Sequence, residues 1–246
     1  MQFRILNWVK DMSKTAAIVL AAGQGKRMNS KVAKQYLLLG GKPVLYYALH
    51  TIENSFIDEI ILVTGPGEEE YCRKEIIDRY GFNKVTTIVT GGKERYNSVH
   101  NGLCALENVD YVFIHDGARP FLSTDILNRA YSAVMEENAC VVAVPVTDTI
   151  KIADDNGYVV DTPDRAHLWS VQTPQTFKYS LIKEAYDILI ENESSYIEKG
   201  IRITDDAMVA ETVLGLPVKI IEGSYDNMKI TTPDDLAKAE ILCKQR

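Results

Sequence analysis

The sequence predicts an α/β fold with a doubly wound, mostly parallel sheet. Short apolar runs rich in β-branched residues recur along the chain, and such nearly continuous apolarity is typical of parallel strands covered on both faces. Longer mixed segments of helical character lie between these runs, which is the alternation expected of such a sheet. With 246 residues and 46% hydrophobic residues, the chain can form one sizeable core, and we expect a single domain over residues 1–246.

The predicted elements follow one another in a regular order. Strands are expected over residues 16–22, 59–65, 85–91, 111–117 and 140–146, and helices over 43–53, 67–80, 94–107 and 123–138. Farther on, the apolar spacing of residues 181–189 predicts a helix. Thr204 is a candidate cap for a helix ending near residue 214, and residues 218–222 form a β-prone run. Thr232 and Pro233, followed by two acidic residues, then mark a strong helix start.

Residues 147–170 interrupt this alternation. The segment is polar, and Asp155–Asn156–Gly157 is a turn signal between two short β-prone flanks. We therefore expect a β-hairpin that projects from the domain. A polar hairpin inserted into a compact fold is often an interaction arm, although an ordinary surface excursion has the same pattern.

Charge and cysteine content narrow the classes of function. The formal net charge is −7, which argues against a generally basic nucleic-acid-binding protein. Between Asp11 and Glu53, however, the chain has six basic residues and no acidic ones, a distribution that favours anion binding over a solvated face. The four cysteines show neither a disulfide framework nor zinc-finger spacing. No apolar run suits a membrane span or a signal peptide, so we expect a cytoplasmic protein without nucleic-acid or membrane partners.

The first candidate site is a glycine-rich loop directly after the first predicted strand. Residues 21–28 have the sequence AAGQGKRM. Small residues let the backbone approach a ligand closely, and successive N–H groups in such a turn can bind an anion. The loop is neither a dinucleotide fingerprint nor a Walker A motif, and alone it is equally well explained as an ordinary turn. Arg27 and Lys34 add positive charge at the carboxyl end of a strand, where open α/β sheets bind ligands, so a triphosphate fits the combination.

Further motifs follow predicted strands in the same way. Residues 91–92 are a glycine pair before a predicted helix whose N-terminus can bind phosphate, and Ser98 offers a hydroxyl; a simple strand–helix turn has the same appearance. Asp116 ends a predicted strand and could hold Mg²⁺, which needs only one or two carboxylates beside phosphate oxygens. The alternative is an internal ion pair with Arg119. Lys229 is a candidate phosphate contact, although a lone lysine is normally a surface residue.

An ordered series of short motifs extends from about Thr15 to Ala239. They are AAGQGKRM, KQYL (34–37), GKPVL (41–45), the Gly-Gly-x-x-Arg-x-x-Ser-Val stretch (91–99), HDGARPF (115–121), VPVTDTIK (144–151), DRAHLW (164–169), QTPQTF (172–177), TDDA (204–207) and NMKITTPDDL (227–236). In this order they resemble the 2-C-methyl-D-erythritol 4-phosphate cytidylyltransferases of the non-mevalonate isoprenoid pathway. The resemblance implies a Rossmann-like nucleotidyltransferase fold. It also implies the transfer of CMP from CTP to 2-C-methyl-D-erythritol 4-phosphate, giving 4-diphosphocytidyl-2-C-methyl-D-erythritol and pyrophosphate, with Mg²⁺ as cofactor.

The resemblance also implies a role for each matching position. Arg27, Lys34 and Lys229 would be catalytic and would stabilise the pentacoordinate α-phosphate. CTP would contact Ala21, Ala22, Gly23, Gly25, Gly92, Ser98, Asp116 and Gly117, with Asp116 also beside the magnesium. Thr149, Arg165, Thr173 and Thr204 would approach the polyol phosphate. The family is a homodimer with interlocking arms, so residues 147–170 would be the dimerisation arm and Arg165 would act in the partner's site. The alternative is a surface arginine paired with Asp161 or Asp164 of its own arm.

Two positions depart from the family pattern. Ala33 stands where proline usually precedes the catalytic lysine, and Gly117 replaces the first alanine of HDAARP. Neither change removes a charged group, so we expect activity. Two other functions share the same features: a ribitol-5-phosphate cytidylyltransferase, which would differ in the polyol pocket, and a non-catalytic nucleotide-binding regulator.

Overall fold

The computed structural model describes residues 13–23, 25, 28 and 32–245. Within this part of the chain, seven strands form a central sheet, and β2–β3 and β8–β9 form two small separate pairs. The strands are β1 (Thr15–Ala21), β2 (Leu38–Leu39), β3 (Lys42–Pro43), β4 (Glu59–Thr64), β5 (Val85–Thr90), β6 (Tyr111–Asp116), β7 (Ala139–Pro145), β8 (Ile152–Ala153), β9 (Val159–Asp161), β10 (Trp169–Lys178) and β11 (Lys219–Glu222).

In the described residues, the helices occupy predicted segments, except for a short helix at Glu193–Glu198 that was not predicted. No helix in the described part of the chain combines the length and apolarity needed to cross a membrane. The helices are α1 (Val44–Glu53), α2 (Glu69–Tyr71, continued as a π-helix over Cys72–Asp78), α3 (Arg95–Cys104), α4 (Thr124–Glu137), α5 (Tyr179–Glu191), α6 (Glu193–Glu198), α7 (Asp206–Leu214) and α8 (Pro233–Lys244).

The sheet is mostly parallel, as predicted. Its strand order is β11-β7-β10-β6-β1-β4-β5. Strand β10 is antiparallel to both of its neighbours, whereas the other pairs are parallel. From β1 the chain proceeds outward to β4 and β5 and then returns to β6 on the other side of β1. This reversal is the point at which open α/β sheets form a ligand-binding crevice, at the carboxyl ends of the strands.

The sequence analysis missed strand β10. Its residues are largely polar, and proline inside an apparent strand argues against that assignment. Pro174 is tolerated because the pairing of β10 with β7 is interrupted between Val171 and Gln175. The strand also changes the boundary of the arm, since Trp169 and Ser170 pair with β7 in the central sheet.

Helices cover both faces of the sheet. Along β1, Ala17 and Val19 point to the face packed by α1, α2 and α4, while Ala16 and Ile18 point to the face packed by α3, α5 and α7. This alternation follows from the two-residue period of a strand. Burial on both sides explains why the strand sequences are almost continuously apolar.

Helix caps fix several of the element boundaries. Ser123 caps α4 by accepting the N–H of Ile126, and Thr232 and Asp235 form the capping box of α8. The predicted cap at Thr204 is wrong by one residue, because Asp205 accepts the N–H of Met208 at 3.0 Å and caps α7. An aspartate is an equally good cap, and the sequence offers both residues side by side.

The predicted hairpin is present between β7 and β10. Strands β8 and β9 pair antiparallel, and Gly157 in the turn has φ +85°, a left-handed conformation that favours glycine. The N–H of Val146 donates to the carbonyl of Leu168 at 3.0 Å and closes the base of the segment. We refer to residues 147–168 as the arm.

Candidate active site

A cleft of about 750 Å³ opens at the carboxyl ends of β1, β4, β5 and β6. It lies where the strand order reverses, which is the position expected for a ligand in a doubly wound sheet. Eight of the residues that the motifs assign to the site line this cleft. They are Ala22, Gly23, Gly25, Lys34, Gly92, Ser98, Asp116 and Lys229.

The first glycine loop lies against the stem of Lys34. Gly25 has φ +59°, which favours glycine, and a Cβ added there would lie 3.4 Å from Cβ and Cγ of Lys34. A Cβ on Gly23 would lie 4.0 Å from Cε of the same lysine. Gln35 fastens this segment to the sheet, because its Nε2 donates to the carbonyl of Ala21 at the end of β1. Small residues and a buried amide thus fix the course of Lys34 along the cleft.

Ser98 stabilises the second glycine loop, which contains Gly91 and Gly92, by hydrogen bonds. Its Oγ accepts the N–H of Gly92 at 3.0 Å and donates to the carbonyl of Glu94 at 3.2 Å. A Cβ added to Gly92 would lie only 2.3 Å from Cβ of Asn97, so a larger residue would force the loop away from α3. Ser98 therefore shapes the loop at the N-terminus of this helix.

Asp116 ends β6 and lines the cleft, among three cations. Nζ of Lys229 lies 2.8 Å from its Oδ2, Nε of Arg119 lies 3.7 Å from the same oxygen, and Nε of Arg95 lies 3.8 Å from Oδ1. Burial alone would raise the pKa of Asp116, but the charges of these three side chains hold that pKa well below its usual range. The carboxylate is therefore ionised. The ion pair with Arg119, an alternative left open by the sequence, is present together with two further cations.

A network of buried hydrogen bonds supports the backbone of Asp116 and the residues next to it. Oγ1 of Thr173 accepts the backbone N–H of Asp116 at 3.0 Å and lies 3.0 Å from Nδ1 of His115. Arg119 donates to the carbonyl of Asn227 at 2.7 Å, and Asn227 donates to the carbonyl of Thr173 at 2.9 Å. Burial lowers the pKa of His115 to about 4, so its ring is neutral at neutral pH. We refer to these five residues as the cleft floor.

Arg95 lines the cleft but was not assigned a role from the sequence. It donates from Nη1 and Nη2 to the two carboxylate oxygens of Asp206, each at 2.7 Å. Asp206 is fully buried and also accepts the hydroxyl of Tyr186 at 2.5 Å. A buried carboxylate needs such partners, and the pairing fixes the guanidinium beside Asp116. The other lining residues that the motifs left unassigned include Gln35, Pro66, Lys93 and Glu94.

Arg95 and its partner both lie in motifs of the sequence, the Gly-Gly-x-x-Arg stretch and TDDA (204–207), but nothing in the sequence pairs them. Asp206 is 111 positions away in the chain, and only the packing of α3 against α5 and α7 brings them together. Counting Asp206 with Asp116, three cations face two carboxylates, and Lys34 adds a further positive charge on the cleft wall. The excess of positive charge suits an anionic ligand.

Two assigned positions are buried beside the cleft. Ala21 is 1% exposed in β1 and presents its carbonyl to Gln35. A Cβ added to Gly117 would lie 2.7 Å from Cδ1 of Leu45 and 3.0 Å from the carbonyl oxygen of Leu20. In this chain the glycine therefore lets the segment after β6 pack closely on β1 and α1.

Three of the remaining assigned positions lie apart from these. Thr149 and Arg165 are exposed on the arm, and Nη1 of Arg165 donates to the carbonyl of Thr147 at 2.6 Å. Thr204 is exposed just before α7, and its hydroxyl contacts the sulfur of Met208. Arg27 lies outside the described residues.

Comparison with known proteins decides the family. The model of the 2-C-methyl-D-erythritol 4-phosphate cytidylyltransferase (IspD) family matches residues 15–245. This chain belongs to that family. It is 51% identical over 234 residues to the 2-C-methyl-D-erythritol 4-phosphate cytidylyltransferase of Lachnoclostridium phytofermentans, covering 95% of this chain and 98% of that protein. The protein of the same description from Alkaliphilus oremlandii is 50% identical over 240 residues, covering 97% and 98%.

A solved structure supports the same assignment at the level of the fold. The 4-diphosphocytidyl-2C-methyl-D-erythritol synthase of Anaerococcus prevotii superposes with a TM-score of 0.82 at 34% identity, covering 98% of this chain and all of that one. Membership of the IspD family makes this chain an enzyme of the nucleotidyltransferase class. The predicted fold and the predicted enzyme class are both confirmed.

Proposed function

We propose that this chain transfers the cytidylyl group of CTP to 2-C-methyl-D-erythritol 4-phosphate, forming 4-diphosphocytidyl-2-C-methyl-D-erythritol and pyrophosphate. The observation that carries the proposal is the convergence of Lys34, Lys229 and two glycine loops on the ionised Asp116, where β1 and β6 end. Membership of the IspD family supports this pair of substrates.

The proposed reaction needs no general base, and none of the assigned residues acts as one. A phosphate oxygen of the polyol phosphate attacks the α-phosphorus of CTP, the bond to the bridging oxygen breaks, and pyrophosphate leaves. The attacking phosphate is already ionised near neutral pH. His115 beside the cleft is buried and neutral, with its ring nitrogens near Thr173 and the carbonyl of Arg119. The chain then accelerates the reaction by positioning and charge stabilisation.

We propose that Lys34, Lys229 and Arg27 stabilise the negative charge that develops on the α-phosphate in the transition state. Lys34 and Lys229 line the same cleft although they lie in distant parts of the sequence. Lys229 contacts Asp116 at 2.8 Å, and a triphosphate offers that amine a competing anion. Arg27 follows from the family pattern and from its place in the same glycine-rich loop.

The residues present fit a magnesium ion bound together with the nucleotide. Mg²⁺ is usually held by one or two carboxylates and the phosphates of the substrate, and Asp116 is an ionised carboxylate that lines the cleft. When bound, the ion would neutralise phosphate charge and orient the leaving group. Lys229 would then transfer its contact from Asp116 to the phosphates.

The glycine loops give the proposed nucleotide contacts. Ala22, Gly23, Gly25 and Gly92 line the cleft with little side-chain bulk, which lets backbone N–H groups approach a ligand closely. Besides Asp116, three assigned positions remain, and we propose that they act mainly by shaping the cleft. Ala21 and Ser98 hold the glycine loops, and Gly117 lets the segment after β6 pack closely on β1.

We propose that the polyol phosphate is bound with help from a second copy of the chain. Thr149 and Arg165 are on the arm, and in the described part of the chain they do not line the cleft. The arm exposes apolar side chains that a monomer leaves in water, including Tyr158, Val159 and Val160. A two-fold dimer in which each arm lies on the other subunit would bury them and bring Arg165 to the partner's cleft.

Thr173 and Thr204 complete the proposed substrate site in different ways. Thr173 is 4% exposed and accepts the N–H of Asp116, so we propose that it acts as a positioning residue. Thr204 is exposed two residues before Asp206, the carboxylate that pairs with Arg95, and we propose that it contacts the polyol phosphate there. The four cysteines are free thiols, which supports a reducing, cytoplasmic location.

A pyrophosphate-release screen tests the proposed function. The protein is incubated with CTP, UTP, ATP or GTP, each with 2-C-methyl-D-erythritol 4-phosphate or ribitol 5-phosphate, with Mg²⁺ or excess chelator. We expect release with CTP, the methylerythritol phosphate and Mg²⁺. Preferential release with ribitol 5-phosphate would assign the other polyol, and CTP binding without release on either polyol would indicate a regulator. Full activity in chelator would exclude the metal requirement.

Introducing a charged residue into the exposed apolar surface of the arm tests the proposed dimer. Val160 is 61% exposed there, and Ile241 is 61% exposed on α8, so the pair offers a matched control. We expect the wild type and Ile241→Asp to sediment as dimers and Val160→Asp to sediment as monomers with an unchanged circular dichroism spectrum. A Val160→Asp protein that remains a dimer would remove the arm from the interface.

A further inference from the structure

A cluster of three different ligand-forming side chains lies away from the cleft, between α3 and α5. His100 and Cys104 are on the same face of α3, one turn apart, and Asp187 faces them from α5. Nε2 of His100 lies 2.8 Å from Oδ1 of Asp187 and 3.5 Å from Sγ of Cys104. The three ligand atoms all lie within 4.8 Å of one another.

The spacing of these atoms suits a small divalent cation. Zinc binds imidazole nitrogen and carboxylate oxygen at about 2.0–2.2 Å and thiolate sulfur at about 2.3 Å. In a tetrahedral site, such bonds put the ligand atoms roughly 3.3–3.8 Å apart. The cluster therefore needs only small side-chain movements to coordinate an ion, and a water molecule would fill the fourth position.

The two helices that carry the cluster are held firmly in place. Val99 and Leu103 of α3 pack in the same buried apolar cluster as Ile182 and Tyr186 of α5. Ligands on rigid, packed helices need little reorganisation to bind a metal. The site is also open to solvent, because Cys104 is exposed and His100 and Asp187 are half-buried.

We propose that His100, Cys104 and Asp187 form a binding site for a borderline-soft divalent metal ion of the zinc class. The donor set of one nitrogen, one sulfur and one oxygen favours zinc or cobalt over Mg²⁺, which prefers oxygen ligands. Binding replaces the hydrogen-bonding proton between His100 and Asp187 with the ion and releases the thiol proton of Cys104. The site is separate from the magnesium site proposed at Asp116.

Lys183 competes with the ion for Asp187. Its Nζ lies 2.7 and 2.6 Å from the two carboxylate oxygens. A metal must displace this lysine from at least one oxygen, and the ammonium also repels the incoming cation. Lys183 thus sets the affinity of the site, and its removal should strengthen binding.

An occupied site would connect α3 to α5. The opposite end of α3 carries Arg95 and Ser98, which line the catalytic cleft. Metal binding is therefore expected to stabilise the helix that presents both residues. The thermal midpoint should rise with zinc concentration, since an ion that binds only the folded state stabilises it by mass action.

Cobalt spectroscopy tests the site without reference to activity. The full-length protein is titrated with Co²⁺ in the presence of excess Mg²⁺, which occupies oxygen-rich sites. We expect visible bands of tetrahedral cobalt and a near-ultraviolet thiolate-to-cobalt charge-transfer band. Cys104→Ser should abolish the charge-transfer band, whereas Cys243→Ser should retain it. A band that persists in Cys104→Ser, or no band in the wild type, would overturn the proposal.

Three further variants test the other members of the cluster. His100→Ala and Asp187→Asn should each weaken cobalt binding by about tenfold or more, with Glu184→Gln on the exposed face of α5 as a control of unchanged affinity. Lys183→Met should bind cobalt several-fold more tightly. These residues lie near the surface, and circular dichroism checks that each variant is folded. Unchanged affinity in both His100→Ala and Asp187→Asn would contradict the assigned ligands.

Discussion

The cleft floor and the arm differ in where their polar groups find partners. In the cleft floor, Asp116 is held by Thr173 behind it and by Lys229, Arg95 and Arg119 around it, all from the same chain. On the arm, Arg165 is exposed and donates to a backbone carbonyl of its own segment. The charge of Asp116 is thus balanced by cations of its own chain, whereas the arm leaves both charge and apolar surface facing outward.

We propose that this difference separates two tasks within one enzyme. A site for a charged triphosphate needs cations fixed in advance, and burial against a sheet fixes them. An arm that crosses to another subunit cannot be supported by its own core, so it must find its partners on assembly. The proposed functions of the two regions follow this division, with nucleotide phosphates on the floor and polyol phosphate contacts from the arm.

The largest effect is expected from the cleft lysines. Lys34→Ala and Lys229→Ala should each lower kcat/KM about 100-fold or more, since each removes a cation from the transition state. The thermal midpoint of Lys34→Ala should change little, whereas Lys229→Ala should also lower it, because Lys229 is an ion-pair partner of the buried Asp116. Pyrophosphate release and thermal unfolding are measured together, with the exposed Lys238→Ala as a control. Near-normal turnover in a folded variant would remove that lysine from the reacting phosphate.

Arg165→Ala tests the contribution of the arm to catalysis, which is expected to be smaller than that of the cleft lysines. Loss of charge-assisted hydrogen bonds to a phosphate should lower kcat/KM for the polyol phosphate by about 10- to 100-fold. Arg165→Lys should recover only part of it, because an ammonium lacks the guanidinium fork.

Complementation shows which subunit Arg165 acts in. Lys34→Ala and Arg165→Ala chains are unfolded and refolded together. If Arg165 acts in the partner's site, each mixed dimer has one intact site, and about a quarter of all sites recover. If it acts in its own subunit, every site keeps one defect. No recovery in confirmed mixed dimers would refute the assignment to the partner.

The cleft floor should be sensitive to acid through His115. Burial lowers the pKa of His115 to about 4, so the unfolded chain takes up a proton at a higher pH than the folded chain. The stability that the neutral ring provides is complete above about pH 6.5 and is lost as pH falls towards 4. A shift of this size corresponds to up to about 3 kcal/mol.

Urea unfolding of the wild type and His115→Gln at pH 7 and pH 4.5 measures this contribution. Glutamine does not titrate, so the variant should lose less stability between the two pH values than the wild type. Carboxylates that titrate in the same range affect both proteins and cancel in the difference. Equal losses in the two proteins would show that folding does not lower the pKa of His115.

The smallest effect is expected at Ala33, where the family usually has proline. Ala33 has φ −60° and ψ 141°, a conformation that proline adopts without strain. Ala33→Pro should therefore raise the free energy of unfolding by about 0.4–1 kcal/mol, mainly by restricting the unfolded chain. Activity should be retained. A loss of stability measured by urea unfolding would mean that the backbone N–H of Ala33 has a needed partner.

The sequence by itself determined the alternation of strands and helices, the glycine loops, the arm and half of the residues that line the cleft. Each of these depends on local chemistry: apolar period, turn residues, caps and charge near a strand end. Gly25 could be recognised in this way, because its role comes from its own backbone. Ala21 and Gly117 could be recognised as part of the site but not as its buried support.

Only the tertiary structure decided which groups face one another. The antiparallel strand β10 was missed because its residues are largely polar and Pro174 argues against a strand. The structure accommodates Pro174 where the pairing with β7 is interrupted. The pairs of Arg95 with Asp206 and of Lys229 with Asp116 join segments far apart in the chain. Such contacts are set by how helices pack on the sheet, and no local pattern encodes them. The same packing aligns His100 and Cys104 with Asp187, which no motif in the sequence connects.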